Sequence, residues 1–418
     1  MYKKLFKQIR NEWRNNLWLG TELLFVSVLL WFLVDFLYVN ISVYFQPLGF
    51  DVSHCYNVNL KWLAKGDPKY IPSDTIYQKQ FDELVDRLRR RPDVEEVCIS
   101  IYSYPYNPSN SWGELCFGKK GEIECNNVCR RYITPEFFKV FRFQGAKGET
   151  PEQLASIFAS DPNGIIASDN CLPHKYHRKL TTLVGLPFMF MVNDTTDLHR
   201  LLAVYVPVRY SEFDDGYSQR SVTIHYDKGE YGSDTNVSLR VKDNMDVDFV
   251  NRIMKTADKQ LRVGNMFVSS VVSFADIRNE NLKFKRLEIR NYSIGIAFLL
   301  LNIFLGLLGT FWFRLQQRRS EIALQKALGS TKRNVFLRSI VEGLLILTIA
   351  TIPAIIVDWN MAYAHLNAWM GGTTLAAGRF IATIFITWLL IALMIVLGTW
   401  LPARKAMRIQ PAEALHED

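Results

Sequence analysis

The sequence predicts an α-helical membrane domain of four transmembrane helices, with a large α+β domain between the first and the second. Three observations carry that reading. Four apolar runs, Leu17–Val39, Tyr292–Phe313, Ile340–Val357 and Phe380–Leu401, are long enough to cross a bilayer core of about 30 Å. The interval Asn40–Glu288 has Pro, Gly and Asn turns, short alternating runs and amphipathic helices, but no run of spanning length. All six cysteines (Cys55, Cys98, Cys116, Cys125, Cys129, Cys171) fall inside that interval. With 49% apolar and 22% charged residues, part of the chain is globular and part is built for lipid.

The first 16 residues are short and basic, with Leu5, Ile9 and Trp13 recurring every four residues. That spacing suits an amphipathic helix lying on the cytoplasmic membrane face. Residues 17–39 follow as an uncleaved span, since a signal peptide would have a shorter apolar core and a small-residue cleavage site. Two acids interrupt this span, Glu22 and Asp35. A relay role would need a partner, and no His, Lys or Arg lies in another span, so both are expected to reach headgroups or pair within the bundle.

Within residues 40–288 two strand–helix–strand patterns resemble each other. The first has alternating residues in Val52–Trp62, a helix over Ile76–Arg91 and a strand at Val97–Tyr102. Thr75 and Gln78 have the spacing of a capping box at that helix's start. The second is Val237–Val241, a helix over Val247–Leu261 and Met266–Phe274. Together they predict a discontinuous α+β lobe, about 45–130 and 222–285, interrupted by an inserted lobe at about 131–221. The inserted lobe reads as short strands and turns, such as Asn163–Ser168 and Leu201–Val208.

Residues 289–418 form the second membrane segment, with spans at 292–313, 340–357 and 380–401. Between its first two spans lies Arg318–Arg333, strongly basic, with Gly329 to end one helix and Ser330 to start the next. Pro353 can kink the third span. The loop Asp358–Arg379 carries Trp359, Tyr363 and Trp369, aromatics suited to the membrane–water interface. Arg404, Lys405 and Arg408 follow the last span. Four spans put all three basic clusters on one side, which the positive-inside rule makes the cytoplasm. The expected location is therefore the bacterial inner membrane, multi-pass, with both termini cytoplasmic and residues 40–288 periplasmic. Six cysteines confined there fit either disulfides or buried thiols. The net charge of +8 does not point to nucleic acid, because the basic residues flank the apolar runs and form no stripe interleaved with aromatics.

Catalytic motifs are absent. No G-x-x-x-x-G-K-[ST] phosphate loop, G-x-S-x-G elbow or H-E-x-x-H helix occurs, so neither enzymatic activity nor a cofactor is expected. Cys171, His174 and His177 have the spacing of three zinc ligands, but Pro173 and the missing fourth ligand favour a polar turn over a metal site.

Three stretches resemble the permease subunits of MacB/FtsX-type (type VII) ABC transporters. Arg319–Ser330 resembles the family's R-x-x-E-I-x-x-x-x-A-x-G-A segment, with Ser330 in place of the usual Ala. Pro402–Ala406 followed by Pro411–Leu415 resembles the P-x-x-x-A…P-x-E-A-L tail, and Ile133–Val140 resembles a recurrent stretch of the periplasmic core. The resemblance implies a permease coupling ATP hydrolysis by a separate cytoplasmic ATP-binding subunit to movement of its periplasmic domain. It further implies efflux or extrusion by mechanotransmission, as a homodimer or paired permease in membrane lipid, with a periplasmic or outer-membrane partner. Glu321, Ile322, Ala323, Lys326, Ala327, Leu328 and Gly329 match the positions that couple to the ATPase. The alternative is a membrane-anchored periplasmic sensor or regulator without transport.

Overall fold

The computed structural model describes residues 13–72, 77–107, 109–118, 124–172, 179–190, 198–214, 220–226, 234–317, 322–324, 330–369 and 375–406. The chain divides into two compact units, residues 43–284 and a second made of 1–42 with 285–418. The first helix, α1 (Trp13–Tyr44), is apolar enough to cross a membrane over Leu17–Tyr44.

Residues 43–284 hold one 11-stranded sheet. In chain order its elements are β1 (Cys55–Trp62), α2 (Tyr77–Arg89), β2 (Val94–Ile101), β3 (Ser111–Phe117), β4 (Glu124–Ile133), α3 (Phe137–Val140), α4 (Pro151–Ala159) and β5 (Gly164–Ser168). There follow β6 (Pro187–Met189), β7 (Leu198–Tyr205), β8 (Ser221–His225), β9 (Thr235–Val241), α5 (Phe249–Gln260), β10 (Arg262–Val263) and β11 (Met266–Ser273). The strand order is β10-β11-β1-β9-β2-β4-β3-β6-β7-β5-β8, and β8 pairs back onto β4.

That order contains two substructures. In the first, β11, β1, β9 and β2 are antiparallel neighbours, so the β1–α2–β2 and β9–α5–β11 units interlock in the split β-α-β manner. Helix α2 buries Phe81, Leu84, Val85 and Leu88, and α5 buries Phe249, Ile253 and Ala257. Both stripes recur at three and four residues and enter one core with Val58, Val97, Leu239 and Val271. Thr75 lies outside the described residues, and the Gln78 amide is spent on Asp82 Oδ1 at 3.1 Å.

In the second substructure the β4–β8 pairing closes β4-β3-β6-β7-β5-β8 into a ring. Its interior is filled by Leu115, Val128, Ile165, Ala167, Phe188, Leu201, Val204 and Val222. Closure removes the exposed edges that such short strands would otherwise present. The expected lobe boundary near residue 130 falls inside β4, and β3 belongs to the ring by its pairings with β4 and β6.

Between these substructures sits an aromatic core of Phe137, Phe138, Phe141, Phe143, Phe158 and Tyr205, all fully buried. The Ile133–Val140 stretch therefore ends β4 and supplies the α3 side chains of this plug. Helix α4 starts at a complete capping box: Thr150 Oγ1 accepts from Gln153 N at 3.3 Å, and Gln153 Oε1 accepts from Thr150 N at 2.9 Å.

His225 stacks on Phe158 with 3.7 Å between ring centroids, and its Nε2 lies 2.8 Å from the Phe158 carbonyl oxygen, a donor position. Burial pulls its pKa below the ordinary 6.5, against the smaller opposing effect of the carbonyls of Phe158 and Asp161. The unfolded chain thus takes up this proton first. The contribution to stability is complete above the unfolded pKa and is lost as pH falls from about 6.5 through the folded value. His225→Phe is expected to flatten the pH dependence of melting below neutrality while leaving the mildly alkaline melting point nearly unchanged.

The cysteines divide. Cys116 and Cys125 face each other across the β3–β4 hairpin and form a disulfide, whereas Cys55, Cys98, Cys129 and Cys171 are buried thiols. Burial pushes Cys55 up to about 12 and Cys171 up to about 11, so both stay protonated at neutral pH.

The remaining helices are α6 (Phe274–Gln317), α7 (Lys332–Tyr363) and α8 (Ala377–Ala406). Among the described residues they make, with α1, four apolar helices of spanning length, the first separated in sequence from the other three by the α+β unit. Two boundaries differ from the sequence reading. Helix α6 begins at Phe274, because the charged Asp276–Arg290 stretch continues the helix. The expected loop Asp358–Arg379 is shortened at both ends, because Asp358–Tyr363 end α7 and Ala377–Arg379 begin α8.

The bundle core is built from Leu23, Leu30 and Val34 of α1, Ile303, Leu307 and Phe311 of α6, Leu347 and Ala350 of α7, and Ile391 and Ile395 of α8. Small residues let the helices approach closely. A Cβ on Gly398 would meet Leu307 Cβ at 3.2 Å and the Phe304 carbonyl at 3.3 Å, and one on Gly343 would meet Ile395 Cγ2 at 2.7 Å.

Candidate functional site

The basic segment between α6 and α7 is the first candidate. Ile322, Ala323 and Leu324 form a helical turn in which Ala323 is buried, Ile322 half-buried and Leu324 exposed. Glu321, Lys326, Ala327, Leu328 and Gly329 lie outside the described residues. Helix α7 restarts one residue later than Ser330: Thr331 is its N-cap, and its Oγ1 accepts from Asn334 N at 3.3 Å.

Three helix ends meet near this segment. Lys405 Nζ at the end of α8 lies 4.2 Å above the Trp312 ring of α6, a cation–π contact. Phe336 near the start of α7 packs edge-on against Trp400 of α8, 6.4 Å between centroids. The end of α6, the start of α7 and the end of α8 with Lys405 are thereby gathered at one end of the bundle.

The opposite end carries a polar cluster that the sequence reading did not assemble. Asp35, 1% exposed, accepts side-on from Arg379, with Nε to Oδ1 at 2.8 Å and Nη2 to Oδ2 at 2.5 Å. Asn367 Nδ2 and Trp369 Nε1 add bonds to Oδ2 at 3.0 and 3.1 Å, and Arg379 Nη2 donates to the Asn367 carbonyl at 2.7 Å. Asp35 therefore pairs within the bundle, one of the two outcomes expected, through a cation that the sequence reading left outside the spans. Arg379, read as loop, is the third residue of α8. A guanidinium there opposes the positive helix N-terminus, a cost that the Asp35 carboxylate offsets. Glu22, by contrast, packs against Gly306 of α6, where an added Cβ would meet its Oε1 at 2.7 Å.

In the α+β unit, residues 43–46 at the end of α1 and the start of α6 are held by one charged network. Arg209, 2% exposed, donates to the carbonyls of Val43 and Gln46 at 2.9 and 3.1 Å, and also to that of Glu212. Glu212, 3% exposed, accepts from Arg278 Nε at 2.5 Å and from Tyr106 OH at 3.3 Å. Asn281 Nδ2 donates to the Tyr106 carbonyl at 3.2 Å. Arg209 and Glu212 come from the turn after β7, a position without a sequence signal of its own.

The zinc-like spacing is not assembled as ligands. Cys171 turns into the ring interior, 3.3 Å from both Ser168 Oγ and the Ser221 carbonyl, and it is protonated; His174 and His177 lie outside the described residues. Among the described residues, Glu114, Cys116 and Cys125 cluster closely enough to hold a metal, but the disulfide consumes both sulfurs.

Residues 293–411 match the family described as FtsX-like permease C-terminal. No curated protein matches the chain. Among solved structures, the chain is similar to a crystal structure of a domain described as belonging to a permease protein from Porphyromonas gingivalis. That similarity is 9% identity over 53% of this chain and 90% of that one, with a TM-score of 0.32. The family match runs over the apolar stretches of α6, α7 and α8 and over the basic segment between α6 and α7. The chain is thus a multi-pass membrane protein carrying an FtsX-like permease domain at residues 293–411.

Proposed function

We propose that the chain is the membrane subunit of an ABC exporter, driven by ATP hydrolysis on a separate cytoplasmic subunit. The family match across the basic segment carries this reading. Ile322 and Ala323, with Glu321, Lys326, Ala327, Leu328 and Gly329, would dock on the ATPase. Ala323 and Ala327 are small enough for close approach, and basic flanks suit lipid headgroups. Closure of two ATPases under a pair of permeases would then move residues 40–288 and extrude substrate by mechanotransmission. The Cys116–Cys125 disulfide supports an oxidising, periplasmic location for that unit, and the basic Lys405 beside Trp312 supports a cytoplasmic one for its end of the bundle.

The test is co-purification of the chain with a separate ABC ATPase, followed by ATPase assays in nanodiscs. Glu321→Lys and Gly329→Pro are expected to abolish permease-dependent stimulation of hydrolysis while leaving the melting point of the permease within a few degrees. An ATPase stimulated equally by both variants would sink the coupling assignment. Failure to recover any ATPase would favour a membrane-anchored regulator.

A further inference from the structure

The α+β unit contains a cleft of about 570 Å³ lined by Arg87, Arg90, Arg91, Arg252, Asp93 and Thr256, with Pro92, Gln260 and Leu261 completing its walls. Its volume lies in the range of small-ligand sites. Four guanidiniums against one carboxylate leave the lining strongly cationic. Lys242 adds a further cation at the turn, donating from Nζ to the Pro92 carbonyl at 2.7 Å.

Two of the arginines have structural duties. Arg87 is paired with Glu83 at 2.9 Å and covers the Arg262 and Gln260 carbonyls at 2.9 and 3.4 Å, quenching the negative end of α5. Arg91 is held side-on by Asp93, with bonds of 3.0 and 2.8 Å and both side chains largely buried. The other two are in surplus. The Arg90 side chain has no partner among the described residues, and Arg252 spends one donor on the Met245 carbonyl. Both are exposed. A fold needing only helix-end compensation would stop at Arg87 and Arg91.

The geometry points to a binding site for a multivalent oxyanion of the phosphate class, seated between Arg90 and Arg252 with Arg91 behind. Planar guanidiniums approaching from the turn after α2 and from α5 match adjacent phosphoryl oxygens, whereas a monocarboxylate would engage only one fork. Among the described residues no aromatic lines the cleft, so a base has nothing there to stack on and the ligand's recognised part is the phosphate group itself. Thr256 lies on the same wall with its hydroxyl donated to the Ile253 carbonyl at 3.1 Å, so recognition rests on the guanidiniums. A free diphosphate and an exposed lipid phosphate share this chemistry.

The experiment uses the full chain in non-ionic detergent at low salt, titrated with pyrophosphate and followed calorimetrically. Saturable binding at one site per chain is expected, weakened about tenfold or more in the Arg90→Ala/Arg252→Ala double variant. Since both side chains are exposed, the melting point should not change. Arg90→Lys/Arg252→Lys is expected to keep the salt dependence but lose part of the affinity. Phosphatidic acid added to the micelles separates the sources: competition with pyrophosphate assigns the lipid phosphate, and its absence the free anion. No saturable pyrophosphate binding, or equal affinity in the double alanine variant, would overturn the proposal.

Discussion

Arg379→Ala is expected to destabilise the membrane unit by about 3–5 kcal/mol, the usual cost of removing one partner from a buried ion pair. The reason is asymmetry. Asp35 is 1% exposed against 10% for the Arg379 side chain. Deleting the arginine strands a carboxylate inside the bundle with only the Asn367 and Trp369 donors. Asp35→Asn is expected to cost less, because the remaining guanidinium is nearer the surface and keeps its bond to the Asn367 carbonyl. The double variant Asp35→Leu/Arg379→Leu should recover much of the loss, since apolar replacement of a whole buried pair is often close to neutral. Denaturant unfolding in mixed micelles measures all three. If the double variant is as unstable as Arg379→Ala, the pair matters through shape rather than charge.

The four apolar helices were legible because they depend on composition alone: run length gives spans. The α2 and α5 stripes were legible because each helix has one buried face, with apolar residues recurring at three and four. Ring closure was not, since nothing local in Cys129–Ile133 or Ser221–His225 announces a parallel pairing between strands so far apart in sequence. The Asp35–Arg379 pair was missed for a related reason. Span boundaries were drawn where charge begins, which put Arg379 in a loop by definition, although helix α8 starts before it. An acid inside one span and a base at the mouth of another is the signal that would have found it. The arginine cleft was equally invisible. Arg87, Arg90 and Arg91 read as a solvated helix end until α5 brings Arg252 opposite them.

Arg240→Met is expected to have the second large effect, about 3–5 kcal/mol in the α+β unit. Arg240 is fully buried in β9, and its donors satisfy backbone oxygens from two distant places. Nε donates to the Val140 carbonyl at 2.7 Å, Nη1 to that of Ser53 at 2.9 Å, and Nη2 to that of Asp51 at 2.8 Å. The Asp51 carboxylate, 3.4 Å away, supplies the counter-charge. One guanidinium therefore ties the chain entering β1 to the end of α3, whose Phe137 and Phe138 fill the aromatic core. Methionine fills the space but removes three strong donors, leaving the Val140 carbonyl only the weak Cys55 thiol at 3.2 Å, and each buried unsatisfied group costs about 1–3 kcal/mol. Arg240→Lys is expected to fail nearly as badly, because a single ammonium cannot span three carbonyls that a planar fork reaches together. Hydrogen exchange separates this from a loss of charge alone. Amides of β1, β9 and the 133–143 stretch should exchange faster in both variants, while those of the β5–β7 pairing in the ring should change least. Uniform acceleration across the unit, or none in the lysine variant, would show that Arg240 does not hold these segments together.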